Sequence, residues 1–328
     1  MTSTAAVASP VDFETYGEYS VKAPARADGS FVRPLYRFTG RITADGSSGY
    51  PAEPGRYHLY VSLACPWAHR SVIARKLLGL EDVISLSVVD PVRDGRGWAF
   101  RDGPGYSPDP VNGFRLLREA YEATEPGYDG HVSVPVLWDR QQHRIVSNNF
   151  PDITIDLATQ FGRWADPAVD LYPQALRPQI GELNDRVYTA VNNGVYRCGF
   201  ATSQGAYDEA VTRLFAMLDG LDARLADHRY LFGGRVTESD IRLWVTLARF
   251  DAVYAIHFKA SVRRLVDYPN LWPYARDLYQ QPGFGETTDF GHIKSHYYGT
   301  HLHLNPHRII PAGPNPDWTT PHHRERLA

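Results

Sequence analysis

The sequence predicts an α/β domain followed by an all-helical one, and three observations carry that prediction. Apolar residues alternate over 57–63 and, in part, over 83–89, the period-two pattern of strands. Between these runs Val72, Ile73, Lys76 and Leu77 follow a helical spacing. Farther on, Ala206, Ala210, Val211, Leu214, Phe215, Leu218, Leu221 and Leu225 recur at steps of three and four, the stripe of an amphipathic helix. A chain of 328 residues, 43% hydrophobic and 22% charged, is long enough for two domains.

Residues 1–55 read as an irregular extension, punctuated by Gly29, Gly40, Gly46, Gly49 and prolines. An α/β domain is expected over 56–165. It opens with strand 57–63, with Tyr57, Leu59, Val61 and Leu63 on one half-buried face, and continues with helix 66–79 and strand 83–89. The long loop Asp90–Asn112 is expected to contribute to a site. Its Gly95-x-Gly97 matches a nucleotide fingerprint only weakly, because no helical pattern follows. A short helix over 114–123, a strand from His131 to Asp139 entered through Pro135, a turn, and a strand over 143–147 complete the order β-α-β-α-β-β-α with the helix that follows. That order, with a cysteine at the first helix start, is the thioredoxin-like arrangement. There the proline before the third strand is cis and lies beside the reactive sulfur; an edge-strand proline is the alternative reading of Pro135. An all-helical domain is expected over 170–290, where Thr237-Glu238-Ser239-Asp240 reads as a structural capping box, and a tail over 291–328.

Cys65 is the residue with the clearest chemistry. It follows the first strand and precedes Pro66, which suits a first helical turn because its missing N–H is not needed there. Helix-start N–H groups and the helix dipole favour thiolate over thiol, lowering a pKa that starts near ~8.5. Ala68 stands where a dithiol site carries its second cysteine, so a disulfide at Cys65 forms with an external thiol. The competing reading is a buried, inert cysteine. Cys198, the other cysteine, reads as core.

Composition narrows the partners. A net charge of −3 gives no reason to expect nucleic acid or an anionic membrane. The first ten residues carry neither a basic start nor an apolar run, so no secretory signal is expected, and no stretch approaches a membrane span. Two cysteines without a signal imply a reducing, cytoplasmic setting. Lysine occurs at positions 22, 76, 259 and 294 only, leaving thirty of the 34 basic residues as arginine, a bias expected of a GC-rich bacterial genome.

Tyr57–Arg70, Asn193-Gly194-Val195-Tyr196, Asp240-Ile241-Arg242-Leu243, Arg249–Lys259 and His292–Tyr298 together resemble the glutathionyl-hydroquinone reductases, the Xi class of glutathione transferases. The resemblance runs from about Phe31 to Pro314. It implies a thioredoxin-like N-terminal domain plus an all-α glutathione transferase C-terminal domain, a homodimer, and a thiol-dependent reductase of S-conjugated hydroquinones. By the same resemblance Cys65 is the nucleophile, Pro66 and Trp67 stand beside it at the thiol, and Tyr196 and Tyr297 are the phenols that act on the quinol ring. Tyr254 is a further quinol-binding candidate. Trp98, Val134 and Pro135 match positions that contact the cysteinyl part of the thiol.

Two positions depart from the family. His131 stands where the family carries an Arg for the glycine carboxylate, and Asn149-Phe150 stand where it carries Glu-Ser for the γ-glutamyl end. An Arg–carboxylate pair is bidentate, and His cannot reproduce it. The expected cosubstrate is therefore a low-molecular-weight thiol, mycothiol more than glutathione, with no metal. His292 and His296 have i, i+4 spacing, but without a completing ligand nearby they read, with His301, His303 and His307, as helix and tail surface plus site lining. Two other functions fit the same residues: a thiol–disulfide reductase or dehalogenating transferase using Cys65, and a non-catalytic binding module on a transferase fold.

Overall fold

The computed structural model describes residues 6–20 and 26–327. In chain order its elements are α1 (Phe13–Tyr16), β1 (Tyr57–Val61), α2 (Pro66–Leu77), β2 (Ser85–Val88), α3 (Arg118–Thr124), β3 (Val136–Asp139), β4 (Arg144–Ser147) and α4 (Phe150–Gln160). The helices α5 (Arg177–Val187), α6 (Gly194–Gly199), α7 (Gln204–Arg224), α8 (Glu238–Arg249), α9 (Leu271–Gln280) and α10 (Phe290–Thr300) follow. The chain forms two compact units. One holds residues 6–20, Leu35–Val169 and Asp289–Ile310; the other holds 26–34, Asp170–Thr288 and 311–327.

The first unit is built on a sheet of order β2-β1-β3-β4, with β1 parallel to β2 and antiparallel to β3, and β3 antiparallel to β4. The element order is the expected one, but its ends differ. The first strand stops at Val61, because Ser62 turns the chain and its carbonyl accepts the Cys65 N–H at 3.1 Å. The third strand starts at Val136, not His131, since Pro135 has no N–H for the ladder. The short helix starts at Arg118, not 114, because the Glu119 carboxylate takes the N–H groups of Arg115 and Leu116 just ahead of it.

Every residue of β1 is buried, so the strand is covered on both faces and not one. Its polar groups are satisfied inside. The ring nitrogens of His58 lie 2.7 and 2.9 Å from the Ser85 and Ser87 hydroxyls, and the Tyr60 hydroxyl donates to Asp109 at 3.1 Å. Burial drives the His58 pKa down to about 3. A depressed base is neutral in the fold and takes up a proton on unfolding below its ordinary pKa of 6.5, so stability falls as pH drops. Between pH 7 and 5 this one group is expected to remove about 2 kcal/mol. Urea unfolding at the two pH values, compared with His58→Gln, measures it; equal slopes for the two proteins contradict the assignment.

The loop after β2 is ordered by buried carboxylates. Asp109 accepts the N–H groups of Val111, Asn112 and Phe114, and Asp90 accepts Arg101 Nε at 2.6 Å. The N-terminal arm docks on this loop: Arg96 Nη2 and Arg101 Nη1 donate to the Ser9 carbonyl, and the Gly95 N–H donates to the Gly17 carbonyl at 2.7 Å. A Cβ on Gly95 would sit 1.9 Å from the Tyr16 carbonyl oxygen, so only glycine fits. The Gly-x-Gly pair serves this docking, with Gly97 turning the loop at φ +88°. Residues 291–300, read as tail, belong to α10, which is capped by Asp289 accepting the His292 N–H at 2.8 Å.

In the second unit the α7 stripe from Ala210 to Leu221 is buried as patterned, and Leu225 just beyond the helix is buried too. The capping box is structural: Thr237 N–H and hydroxyl donate to Asp240, which also accepts from the Leu231 N–H and the Tyr274 hydroxyl. π-Helical turns occupy Tyr188–Asn192 and Phe250–Tyr254. Among the described residues no helix is long and apolar enough to cross a membrane.

Candidate functional site

In the first unit Cys65 is the N-cap of α2, extended at φ −79° and ψ 119°, with Pro66 opening the helix. Its sulfur makes no side-chain cap bond and lies 3.6 Å from the Val134 carbonyl oxygen. The Val134–Pro135 peptide is cis, so the proline segment sits beside the sulfur as the thioredoxin-like reading requires. Cys65 is 9% exposed, against 2% for Cys198 in the other unit. Burial pushes the Cys198 thiol up to about 12, which leaves it protonated at neutral pH.

The Trp67 and Phe150 rings pack at a tilt with centroids 4.5 Å apart, and the Arg70 guanidinium lies 4.9 Å from each ring. Phe150 is 1% exposed; its side chain is a packing element between α2 and α4, and only its backbone could meet a thiol. Asn149, the N-cap of α4, donates through Nδ2 to Asp152 at 2.7 Å. His131 is half-buried, with Nδ1 3.4 Å from the Tyr19 hydroxyl.

Trp98 lies in the long loop Asp90–Asn112. Its ring stacks on His296 of α10 at 5.1 Å and 17°, and the Arg93 guanidinium lies 4.2 Å from it. Tyr297 is buried next to His296 and His301, with ring centroids 5.2 and 5.5 Å away. Of the C-terminal histidines read as helix and tail surface plus site lining, His292, His296 and His301 are buried and so are not surface. His292 and His296 bond the carbonyls of Pro104 and Pro91 and pin the Trp98 loop to α10. No group of three or more His, Cys, Asp or Glu among the described residues is arranged to hold a metal.

The second unit carries the other two phenols. Tyr196 and Tyr254 have centroids 6.0 Å apart, and both pack on Phe258. Arg33 lies over the Tyr196 ring at 4.6 Å and donates to Asn193. Gly199 makes room for this cluster, since a Cβ there would fall 2.3 Å from the Phe258 ring. Sequence reasoning missed Tyr19, Arg93 and Arg33, whose contacts with His131, Trp98 and Tyr196 leave no periodic signal.

A thioredoxin-like unit with a helix-start cysteine beside the proline-preceding carbonyl, joined to a helical second unit, defines a glutathione transferase. Residues 64–160 match the family Glutathione S-transferase, N-terminal domain, and 204–277 match its C-terminal domain. The glutathionyl-hydroquinone reductase YqjG of Escherichia coli is 49% identical, over 90% of this chain and 93% of its own. The glutathione S-transferase Xi of Phanerochaete chrysosporium superposes with a TM-score of 0.88 at 46% identity, covering 92% of this chain and 97% of that one. The glutathione-bound structure of YqjG gives 0.85 at 48% identity, over 91% and 98%. The chain belongs to the glutathionyl-hydroquinone reductases, the thiol-dependent Xi class of glutathione transferases.

Proposed function

We propose that this chain reduces S-conjugated hydroquinones to free hydroquinones with Cys65 as the nucleophile and mycothiol as the thiol. The observation that carries the reaction is Cys65 at the start of α2 beside the Val134 carbonyl, in a family whose E. coli member is named for glutathionyl-hydroquinone reduction. The Cys65 thiolate attacks the conjugate's sulfur, the sulfur–aryl bond breaks, and the aryl carbon takes a proton. The hydroquinone leaves, and Cys65 holds the thiol as a mixed disulfide. A second thiol attacks that disulfide, releasing the symmetrical disulfide and restoring the Cys65 thiolate. The ring carbon is reduced by two electrons and the two thiols are oxidised.

Tyr196 and Tyr297, with Tyr254 beside Tyr196 in the helical unit, handle the ring hydroxyls, and Pro66, Trp67, Trp98, Val134 and Pro135 hold the cysteinyl part of the thiol. The choice of mycothiol is supported by the residues that stand in place of the family's Arg and Glu-Ser at the two ends of the thiol position, His131 and Asn149-Phe150. His131 is paired with a phenol, Asn149 is tied to Asp152, and Phe150 is buried. Mycothiol carries neither a γ-glutamate nor a glycine carboxylate. The family resemblance also implies a homodimer, which light scattering on the purified protein tests, and the low cysteine count supports a reducing, cytoplasmic setting.

Tyr196→Phe and Tyr297→Phe are each expected to slow hydroquinone release by about 10²-fold while leaving thiol binding nearly unchanged, because the hydroxyl acts on charge that develops in the ring. Single-turnover release of hydroquinone measures this. Unchanged rates in both variants would assign these tyrosines to core packing.

A further inference from the structure

We infer that His296 is a positioning residue for the reaction, its ring fixing the Trp98 indole and the Tyr297 phenol relative to each other. The inference rests on the reading of Trp98 and Tyr297 as site residues and is independent of which thiol is used.

Helix α10 carries His292, His296 and Thr300 at steps of four, which places them on one face. All three are buried, and each holds a different point of the loop over residues 90–112. His292 Nε2 lies 2.6 Å from the Pro104 carbonyl oxygen, His296 Nδ1 lies 2.7 Å from that of Pro91, and the Thr300 hydroxyl accepts the Arg93 N–H at 3.4 Å. A carbonyl only accepts, so Nδ1 of His296 carries a proton and donates. The described residues of that loop form no helix or strand, and α10 supplies three of its fixed points.

His296 is the member of this stripe whose ring reaches two candidate site side chains. The Trp98 backbone is set by its carbonyl, which accepts the Leu117 N–H at 2.9 Å, but that bond leaves the indole free to choose among rotamers. The stack on His296, with centroids 5.1 Å apart and planes 17° from parallel, selects one. The Tyr297 ring meets the same imidazole nearly edge-on, at 5.2 Å and 79°. Stacked and edge-to-face pairs of this kind are the favoured aromatic geometries. With Nδ1 tied to Pro91, the imidazole cannot turn without breaking a buried hydrogen bond. Thiol-side Trp98 and ring-side Tyr297 are therefore referred to one fixed group. The two parts of a conjugate are met in one relative geometry, and a misplacement of about 1 Å in such a site costs about 10²-fold.

The test separates the ring of His296 from its hydrogen bond, on the mycothiol and glutathione conjugates of one hydroquinone. His296→Asn keeps a donor for Pro91 and removes the ring; His296→Gln carries the same test if the Asn variant does not fold. It is expected to raise KM and to slow hydroquinone release by about three- to tenfold each, the worth of one aromatic contact, by the same factor on both conjugates. His296→Phe keeps a ring and loses the donor, so it is expected to lower Tm while restoring most of KM and of the release rate. Thr300→Val removes a grip on the same loop without touching a site ring, and is expected to leave both constants unchanged. In a Trp98→Ala background His296→Asn is expected to raise KM no further, because it acts through Trp98. Unmoved constants in His296→Asn, losses in His296→Phe as large as those in His296→Asn, or losses that multiply with those of Trp98→Ala overturn the inference. Wild-type constants in both Trp98→Ala and Tyr297→Phe defeat the reading of the site itself and the inference with it. Losses in those two variants beside a wild-type His296→Asn defeat His296 alone.

Discussion

The Cys65→Ala protein is expected to fold and to turn over no conjugate, with a loss of at least about 10⁴-fold. The fold survives because the Cys65 side chain makes no helix-cap bond. The backbone bonds that build the junction, Cys65 N–H to Ser62 and His69 N–H to the Cys65 carbonyl at 3.0 Å, are kept by alanine. Turnover is lost because the mixed disulfide needs a sulfur at this position. Cys198 cannot substitute, since burial holds its thiol at about 12 and so protonated at neutral pH. Cys65→Ser is expected to be nearly as inactive, because an alcohol is not ionised at neutral pH and forms no disulfide. Cys198→Ala is expected to keep near-wild-type activity. Steady-state rates decide this, together with intact mass, which should reveal one thiol adduct on wild type and none on Cys65→Ala. Substantial turnover by Cys65→Ala overturns the mechanism.

The residues that were legible in the sequence are those whose signal is local. Cys65, Pro66 and the strand before them announce a strand-to-helix junction through periodicity and proline chemistry. The α7 stripe announces a buried helix face in the same way. Pro135 marks the start of β3, although the strand that follows it is shorter than the apolar run suggests. What was not legible depends on partners far away in the chain. His58 occupies the polar phase of an alternating strand, yet it is buried because Ser85 and Ser87 on β2 satisfy both ring nitrogens. His292 and His296 resemble solvated helix positions until the carbonyls of Pro104 and Pro91 close on them. The N-terminal arm has no pattern of its own, and its place is set by Asp94, Arg96 and Arg101 on the loop it covers.

The wild-type protein is expected to prefer the mycothiol conjugate over glutathionyl-hydroquinone by kcat/KM, and the residues at the two ends of the thiol define how to reverse that preference. Missing a charge-paired contact typically costs ~2–5 kcal/mol, more than a tenfold loss of affinity at each end. Restoring both family residues after the hairpin is not a clean reversal. Phe150 is 1% exposed and packs on Trp67, and shortening a buried Phe to a small side chain costs about 3–5 kcal/mol of stability. Asn149→Glu alone is also compromised, because Asn149 donates to Asp152 and a carboxylate there would face a like charge. Asp152→Asn removes that conflict and lets the new carboxylate accept a hydrogen bond. The variant to make is therefore His131→Arg with Asn149→Glu and Asp152→Asn, leaving Phe150 in place. Its kcat/KM ratio is expected to move toward the glutathione conjugate by more than about tenfold for each restored charge, with Tm near that of wild type. His131→Arg alone should recover the half of the shift that belongs to the glycine carboxylate. Equal turnover of the two conjugates by the wild-type protein defeats the thiol assignment, since glutathione would then be held by residues other than those at 131, 149 and 150.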